Sequence, residues 1–243
     1  MWGGPMFIKN INERDRQTWL QQTLSTLPKG ARLLDAGAGE LRNKKHCLHL
    51  EYVSQDFCQY EGGKDCKEGL QTGTWDNSKI DLISDITQIP APDASFDAIL
   101  CSEVLEHVPE PTHALTEFAR LLRPNGKLIL TAPFSSNVHF APYHFCTGFS
   151  KYWYLHNLTA RGFVIEELVP NGDWYDLLRQ EIIRLGGLER QRNSWAWPLA
   201  YAYALLGLVY FKLRSHKRAE DVACFGWHCV AVKSDELQGV SAT

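Results

Sequence analysis

The strongest constraint on this chain is an alternation. Six short, nearly continuous apolar runs read as strands: "ARLLDA" (31–36), "EYVSQD" (51–56), "IDLISD" (80–85), "FDAILCSE" (96–103), "KLILTAP" (127–133) and "FVIEELV" (163–169). Runs that are apolar on both faces predict strands covered on both sides, hence a parallel sheet in an α/β fold. Helical spacing appears between several of them. Residues 10–27 place Ile11, Trp19, Leu20, Leu24 and Leu27 near one face before "LPKG" stops the helix. In "PTHALTEFARLLRPNG", Leu115, Phe118, Leu121 and Leu122 share a face, with Thr112 as N-cap and Pro124 and Gly126 as the stop. "FSKYWYLHNLTARGF" has Ser150 as N-cap and Gly162 as C-cap. A last run, "FGWHCVAVK" (225–233), predicts a seventh strand, and the polar stretch from Cys58 to Lys79 reads as loop.

At 243 residues the chain fits one α/β domain spanning 1–243, with a helical insertion over about 171–222 between strands six and seven. Its 25 basic and 28 acidic residues leave a net charge of −3, which offers no field for a polyanion, so a nucleic-acid partner is not expected. The seven cysteines (Cys47, Cys58, Cys66, Cys101, Cys146, Cys224 and Cys229) form no CxxC pair, which suits reduced thiols in a cytoplasmic protein. The opening "MWGGPMFIKNINERDR" has no basic segment leading into an apolar one, so no signal peptide is expected.

The first strand runs into "DAGAGELRN". Gly37 and Gly39 allow a tight turn and the close approach of a ligand, and Asp35 puts an anion beside them. A phosphate-cradling loop avoids an anion there. A dinucleotide fingerprint needs a third glycine where Arg42 stands, and a Gly-Lys-Ser/Thr ending is absent. A carboxylate at this turn suits a ligand with a positive amino group. Strand two ends at Asp56, a carboxylate able to accept both hydroxyls of a ribose. Strand three ends at Asp85 and Ile86, an acceptor for an exocyclic amine and an apolar wall for a purine. Ligands of open α/β sheets bind at these carboxyl ends. Carboxylates at three of them describe a site for an adenosine that carries an amine and no phosphate, which is S-adenosylmethionine.

With those residues in view, "LLDAGAGE", "YVSQD", "SDITQIPAPDASFDAILCSEVLEHVPEP" and "LLRPNGKLILTAP" follow one another over residues 31–133. In this the chain resembles the class I S-adenosylmethionine-dependent methyltransferases, of the group called methyltransferase type 11. The resemblance implies a Rossmann-like seven-stranded sheet, order 3-2-1-4-5-7-6, with strand seven antiparallel and helices on both faces. It implies that the turn Asp35, Gly37, Ala38, Gly39 holds the methionine part, Asp56 the ribose, Asp85 and Ile86 the adenine, and that Ser102 lines the floor. The chain departs from the pattern in lacking the third glycine and in leaving little room for a helix before Glu51.

Methyl transfer from a sulfonium is an in-line displacement by an already activated donor. The enzyme therefore mainly positions the acceptor and excludes water. In "SEVLEHV", Glu103, Glu106 and His107 fall at i, i+3 and i+4, one face of a helix, a spacing that can ligate a divalent metal. Metal-dependent O-methyltransferases are similar here, and His139 or His144 stands ready as a further ligand. The plainer reading makes this a structural helix, with His107 bonded to backbone and no metal required. The segment 137–154 contributes His139, Tyr143, His144, Phe145, Phe149 and Trp153 to a lid over a partly apolar substrate, while Tyr152, Trp153 and Tyr154 also suit simple packing. His107, His144 and Tyr143 are the catalytic candidates.

"SWAWPLAYAYALLGLVYF" (194–211) is uncharged between Arg190 and Arg192 on one side and "KLRSHKR" on the other. A membrane span would leave strands six and seven on opposite sides of a bilayer, so a buried helix, capping the substrate pocket or making a homodimer contact, is expected. Membrane-surface docking through 194–218 is the second reading. The expected activity is methyl transfer to a small-molecule or lipid-like acceptor, through oxygen before nitrogen or carbon. A cofactor-binding protein without catalysis is the alternative, and a dinucleotide oxidoreductase is disfavoured by Asp35.

Overall fold

The computed structural model describes residues 11–60, 62, 69, 70, 75–214 and 219–235. Cys66, the first ten residues and most of the basic flank after 214 lie outside them. Seven strands make one sheet: β1 (Arg32–Ala36), β2 (Glu51–Asp56), β3 (Leu82–Ile83), β4 (Phe96–Ser102), β5 (Leu122–Pro133), β6 (Phe163–Asn171) and β7 (Gly226–Lys233). The order is β3-β2-β1-β4-β5-β7-β6. The chain enters β1 between β2 and β4, both parallel to it: Asp35 pairs with Ser54 on one side and Leu100 on the other. Strand β7 runs antiparallel to β5, from Lys127 opposite Val232 to Pro133 opposite Gly226. The carboxyl ends of β1 and β4, where the strand order reverses, therefore open onto one crevice.

Residue contacts divide the chain into two units, Gln17–Val169 with Gly226 onward, and the segment up to Arg16 with Pro170–Phe225. The first holds the sheet. Helix α1 (Ile11–Ser25) buries Leu20 and Leu24 in a cluster with Leu27, Leu33, Cys47, Ala98, Leu100 and Ile129. Helix α2 (Pro111–Leu121) buries Leu115, Phe118 and Leu121, the stripe its spacing predicts.

Its ends differ from expectation. Glu110, not Thr112, is the N-cap, because Pro111 has no N–H to satisfy and its fixed φ suits the first turn. Pro124 and Gly126 do not stop the helix; Leu122 is already extended and begins β5. The two fall where β5 is irregular, its pairing with β4 skipping from Leu122–Phe96 to Lys127–Ala98, so neither breaks a regular ladder. Helix α3 (Lys151–Thr159) follows Ser150 as predicted but is capped by Ala160, with Gly162 two residues beyond in a left-handed turn. Strand β3 is only two residues long, so Asp85 and Ile86 lie in the turn after it.

The second unit is a helical hairpin of α4 (Trp174–Gln191) and α5 (Trp197–Arg214). Asp173 caps α4, accepting from the Asp176 N–H at 3.0 Å. Two glycines bring the helices together: a Cβ on Gly186 would sit 2.8 Å from the Tyr201 ring, and one on Gly207 3.2 Å from Ile182. Within one chain helix α5 is not buried; the expected homodimer contact would cover it only with a second copy. Of its apolar side chains only Ala204 and Phe211 are buried, whereas Leu199, Tyr203, Leu206, Tyr210 and Leu213 are exposed along one face. No helix among the described residues is long and apolar enough to cross a membrane. Replacing Asp173 by alanine leaves the Asp176 N–H without its cap and is expected to cost about 1 kcal/mol in denaturant unfolding, with asparagine restoring most of it.

Candidate functional site

The turn after β1 is fixed from β2. The Gly37 and Ala38 N–H groups donate to the Gln55 carbonyl at 2.8 and 2.9 Å, and the Gly39 N–H donates to Asp56 Oδ2 at 2.9 Å. Asp56 Oδ1 accepts from the Cys58 N–H at 2.9 Å, so one buried carboxylate holds the backbone on both sides of the crevice. Each of its oxygens keeps a second lone pair for another donor. Both glycines have positive φ, 74° and 51°, and both are crowded: a Cβ on Gly37 would meet Val104 at 2.5 Å, and one on Gly39 would meet the Trp75 indole at 2.7 Å.

Asp35 is 1% exposed beneath this turn. Its Oδ2 accepts from the Tyr52 hydroxyl at 2.6 Å, and Asn43 adds a side-chain hydrogen bond. Burial outweighs both and pushes its carboxyl up to about 6. Asp85 is exposed, with its Oδ1 taken by the N–H and hydroxyl of Thr87 at 2.8 and 2.7 Å, while Ile86 beside it is buried. The Gln55 side-chain amide reaches the Ser84 carbonyl at 2.7 Å and ties this turn to β2. Ser102 and Thr131 share a hydrogen bond of 2.8 Å; Thr131 gives its proton to Glu103 Oε1 at 3.0 Å, which leaves Ser102 as the donor between them.

The predicted helix carrying Glu103, Glu106 and His107 on one face is absent. Glu103 has φ of 56°, and only a short 3-10 turn, Leu105–His107, follows. Glu103 therefore faces Thr131, whereas Glu106, 1% exposed, lies with Oε1 3.7 Å from His107 Nε2 and 3.9 Å from His139 Nε2. The loop after β5 brings His139 and His144 to His107, with ring centroids 4.6 and 6.0 Å away. The His107 Nδ1 contacts the Tyr143 carbonyl at 2.5 Å. Burial, aided by His139, pushes His107 down to about 3, so it is a neutral imidazole at physiological pH and a weak proton acceptor.

Rings connect the two regions. Trp75 lies edge-on to Phe140 at 5.1 Å, Phe140 is 4.9 Å from His107, and Tyr143 meets Phe57, next to Asp56, at 4.9 Å. Tyr143 is thereby next to the turn after β2, and His144 is next to His139, ring centroids 5.0 Å apart. Phe149 and Trp153 pack at a tilt of 47° with ring centroids 4.5 Å apart, Tyr154 is fully buried, and Phe145 and Tyr152 are exposed, so this half of the expected lid belongs to packing or solvent. Sequence reasoning missed Trp75, Phe140, Val104 and Tyr52. Only Tyr52, a hydroxyl two residues before Ser54, the partner of Asp35 in the sheet, carried a signal. A separate cleft between the 84–91 turn and α2 is lined by Glu117 and Arg120, which already bond each other and the Ile89 backbone, and it is a structural joint.

Residues 34–130 match the family model of a methyltransferase domain. A ubiquinone biosynthesis O-methyltransferase from Xanthomonas axonopodis pv. citri is 34% identical over 106 residues, 43% of this chain and 44% of that protein. One from Dechloromonas aromatica is 33% identical over 119 residues, 48% of this chain and 49% of its own. The chain thus spans less than half the length of the curated relatives it matches. Among solved structures, the [4+2]-cyclase SpnF superposes with a TM-score of 0.56 at 19% identity, over 96% of this chain and 85% of that one. A Burkholderia thailandensis 1,6-didemethyltoxoflavin-N1-methyltransferase, bound to S-adenosylhomocysteine, gives 0.52 at 15%, over 92% and 79%. At those identities the likeness is one of fold.

Because Asp35 titrates near 6 when folded and near 4 when unfolded, the native state holds the extra proton and loses stability as pH rises through that window. Asp35→Asn is expected to flatten this dependence and to raise stability at pH 8 by about 2 kcal/mol, measured by urea unfolding at pH 4.5 and 8. Gly37→Ala forces a Cβ onto Val104 at a positive φ, and an expected loss of about 2–4 kcal/mol is read from the same unfolding curves.

Proposed function

We propose that this chain, whose residues 34–130 carry the methyltransferase domain, binds S-adenosylmethionine and transfers its methyl group to an oxygen of a small or lipid-like acceptor. One observation carries the reading: the two crowded glycines above the buried Asp35, Gly37 held by the Gln55 carbonyl and Gly39 by the Asp56 carboxylate. The two glycines let the chain turn tightly at positive φ against Val104 and Trp75, which sets the turn at the mouth of the crevice, and Asp35 supplies a carboxylate for the ligand's ammonium. Asp56 has lone pairs left for the ribose hydroxyls, Ile86 gives an apolar wall to adenine with Asp85 at its edge, and Ser102 lines the floor.

The donor sulfonium brings its own activation, so the protein's task is to align an acceptor oxygen with it and keep water out. Trp75 and Phe140, in contact with each other, exclude water between the glycine turn and the acceptor side, and we assign Tyr143 and His144 to holding the acceptor. A histidine as reluctant to protonate as His107 serves poorly as a base, which favours an acceptor that loses its proton easily, such as a phenol. The O-methyltransferase names of the relatives support oxygen as the acceptor atom. The cyclase with the same fold keeps the second reading open, a cofactor-binding protein that transfers no methyl group.

The exposed face of α5 supports docking on an anionic membrane surface, where lipid-like acceptors partition. Trp195, Trp197, Tyr203 and Tyr210 are exposed there near Arg190 and Arg192, the amphipathic aromatic and basic side chains that an interface favours. Sedimentation with anionic vesicles, lost on Leu206→Glu and Tyr210→Glu, is expected; a concentration-dependent dimer without vesicle binding would assign the face to a second copy instead.

Calorimetric titration with S-adenosylhomocysteine tests the cofactor site. Micromolar binding is expected, weakened tenfold or more by Asp56→Asn, about 1.4 kcal/mol. It should tighten as pH rises through 6, because only ionised Asp35 attracts the ligand's ammonium. No binding by the wild type would overturn the proposal, and binding without turnover on catechols, hydroxybenzoates or quinols would favour the second reading.

A further inference from the structure

We infer that His107, His139 and His144 form a binding site for a divalent transition-metal ion. One ligand atom from each of the three lies within 4.8 Å of the other two, and they come from two separate segments, the turn after β4 and the loop after β5. A tetrahedral ion with nitrogen ligands at about 2.0–2.1 Å needs spacings of about 3.4 Å, a contraction that side-chain rotation can supply.

The surroundings prepare the rings for this. His107 Nδ1 is held at the Tyr143 carbonyl, 2.5 Å away, and His139 Nδ1 at the Asn137 carbonyl, 2.9 Å away. A backbone carbonyl can only accept, so each Nδ1 carries the proton and each Nε2 presents its lone pair. Metal-bound histidines are oriented in this way by a second partner. Both Nε2 atoms face the same Glu106 oxygen, at 3.7 and 3.9 Å, so the lone pairs converge. Both ring nitrogens of His144 are shielded from solvent and have no hydrogen-bond partner among the described residues. A shielded ring nitrogen without a partner is a cost that a metal bond removes.

The donor set also selects the ion. Three imidazoles beside one buried carboxylate suit zinc, cobalt, nickel or ferrous iron, and do not suit magnesium, which prefers oxygen donors in a near-ideal octahedron. This differs from the ligand set Glu103, Glu106 and His107 expected from spacing, because Glu103 is engaged with Thr131. Three protein nitrogens leave a tetrahedral ion one position for an oxygen donor. The metal site stands independently of the methyl-transfer reading.

The test uses the full-length, tag-free chain after chelator treatment, titrated with cobalt(II) and followed by visible ligand-field absorption. Saturable binding of one equivalent is expected, with no displacement by a large excess of magnesium. His144→Ala and His139→Gln should each weaken cobalt binding at least tenfold, while their thermal unfolding without metal stays near the wild type. S-adenosylhomocysteine titration of the same variants should be unchanged, so failure of the metal site is told apart from failure of the cofactor site. Absence of saturable cobalt binding, an affinity indifferent to both substitutions, or displacement by equimolar magnesium would each overturn the inference.

Discussion

The Asp56 carboxylate is the joint on which this crevice depends. With one oxygen on the Gly39 N–H and the other on the Cys58 N–H, it holds the turn after β1 and the turn after β2 in one geometry. A buried carboxylate in this role is strong because both partners are backbone donors that cannot rotate away. The remaining contacts follow from that clamp. Gly39 is brought under Trp75, Trp75 meets Phe140, and Phe140 reaches the histidines after β4 and β5. Removing the clamp therefore loosens the acceptor side as well as the cofactor side.

Much of this was legible in the sequence because burial on both faces leaves a plain signature. The runs at 31–36, 51–56 and 96–103 became β1, β2 and β4 with boundaries shifted by no more than a residue. The sheet order came from the resemblance rather than from periodicity. What misled was punctuation. Pro124 and Gly126 look like a helix stop, yet the chain had already left the helix at Leu122 and used them in an irregular part of a strand. The spacing of Glu103, Glu106 and His107 suggested a helical face, but a left-handed Glu103 and a 3-10 turn send the first carboxylate toward Thr131. Local pattern cannot foresee such a turn, because Val104 packing against Gly37, a contact across 67 positions of chain, helps to fix it.

The histidines show the same limit. His139 and His144 were visible as candidates, but nothing in their spacing from His107 says that a loop will fold back to set three rings together. Likewise "SWAWPLAYAYALLGLVYF" reads as buried by composition alone, and only the fold shows a face of α5 turned to solvent. Apolar composition reports that a surface wants to be covered. It does not report by what.

The shortness of the segment between β1 and β2 has its own consequence. From Ala36 to Glu51 the chain holds only the 3-10 turn Lys44–His46, and no α-helix starts at the glycine turn. A helix there would aim its positive macrodipole end at the crevice and reward a phosphate. Without it no dipole rewards a phosphate at the turn, and the Asp35 and Asp56 carboxylates oppose one, with Arg42 over the Trp75 ring as the nearby cation. A nucleotide should therefore bind more weakly than its own nucleoside, which reverses the ordering that phosphate-binding Rossmann folds display.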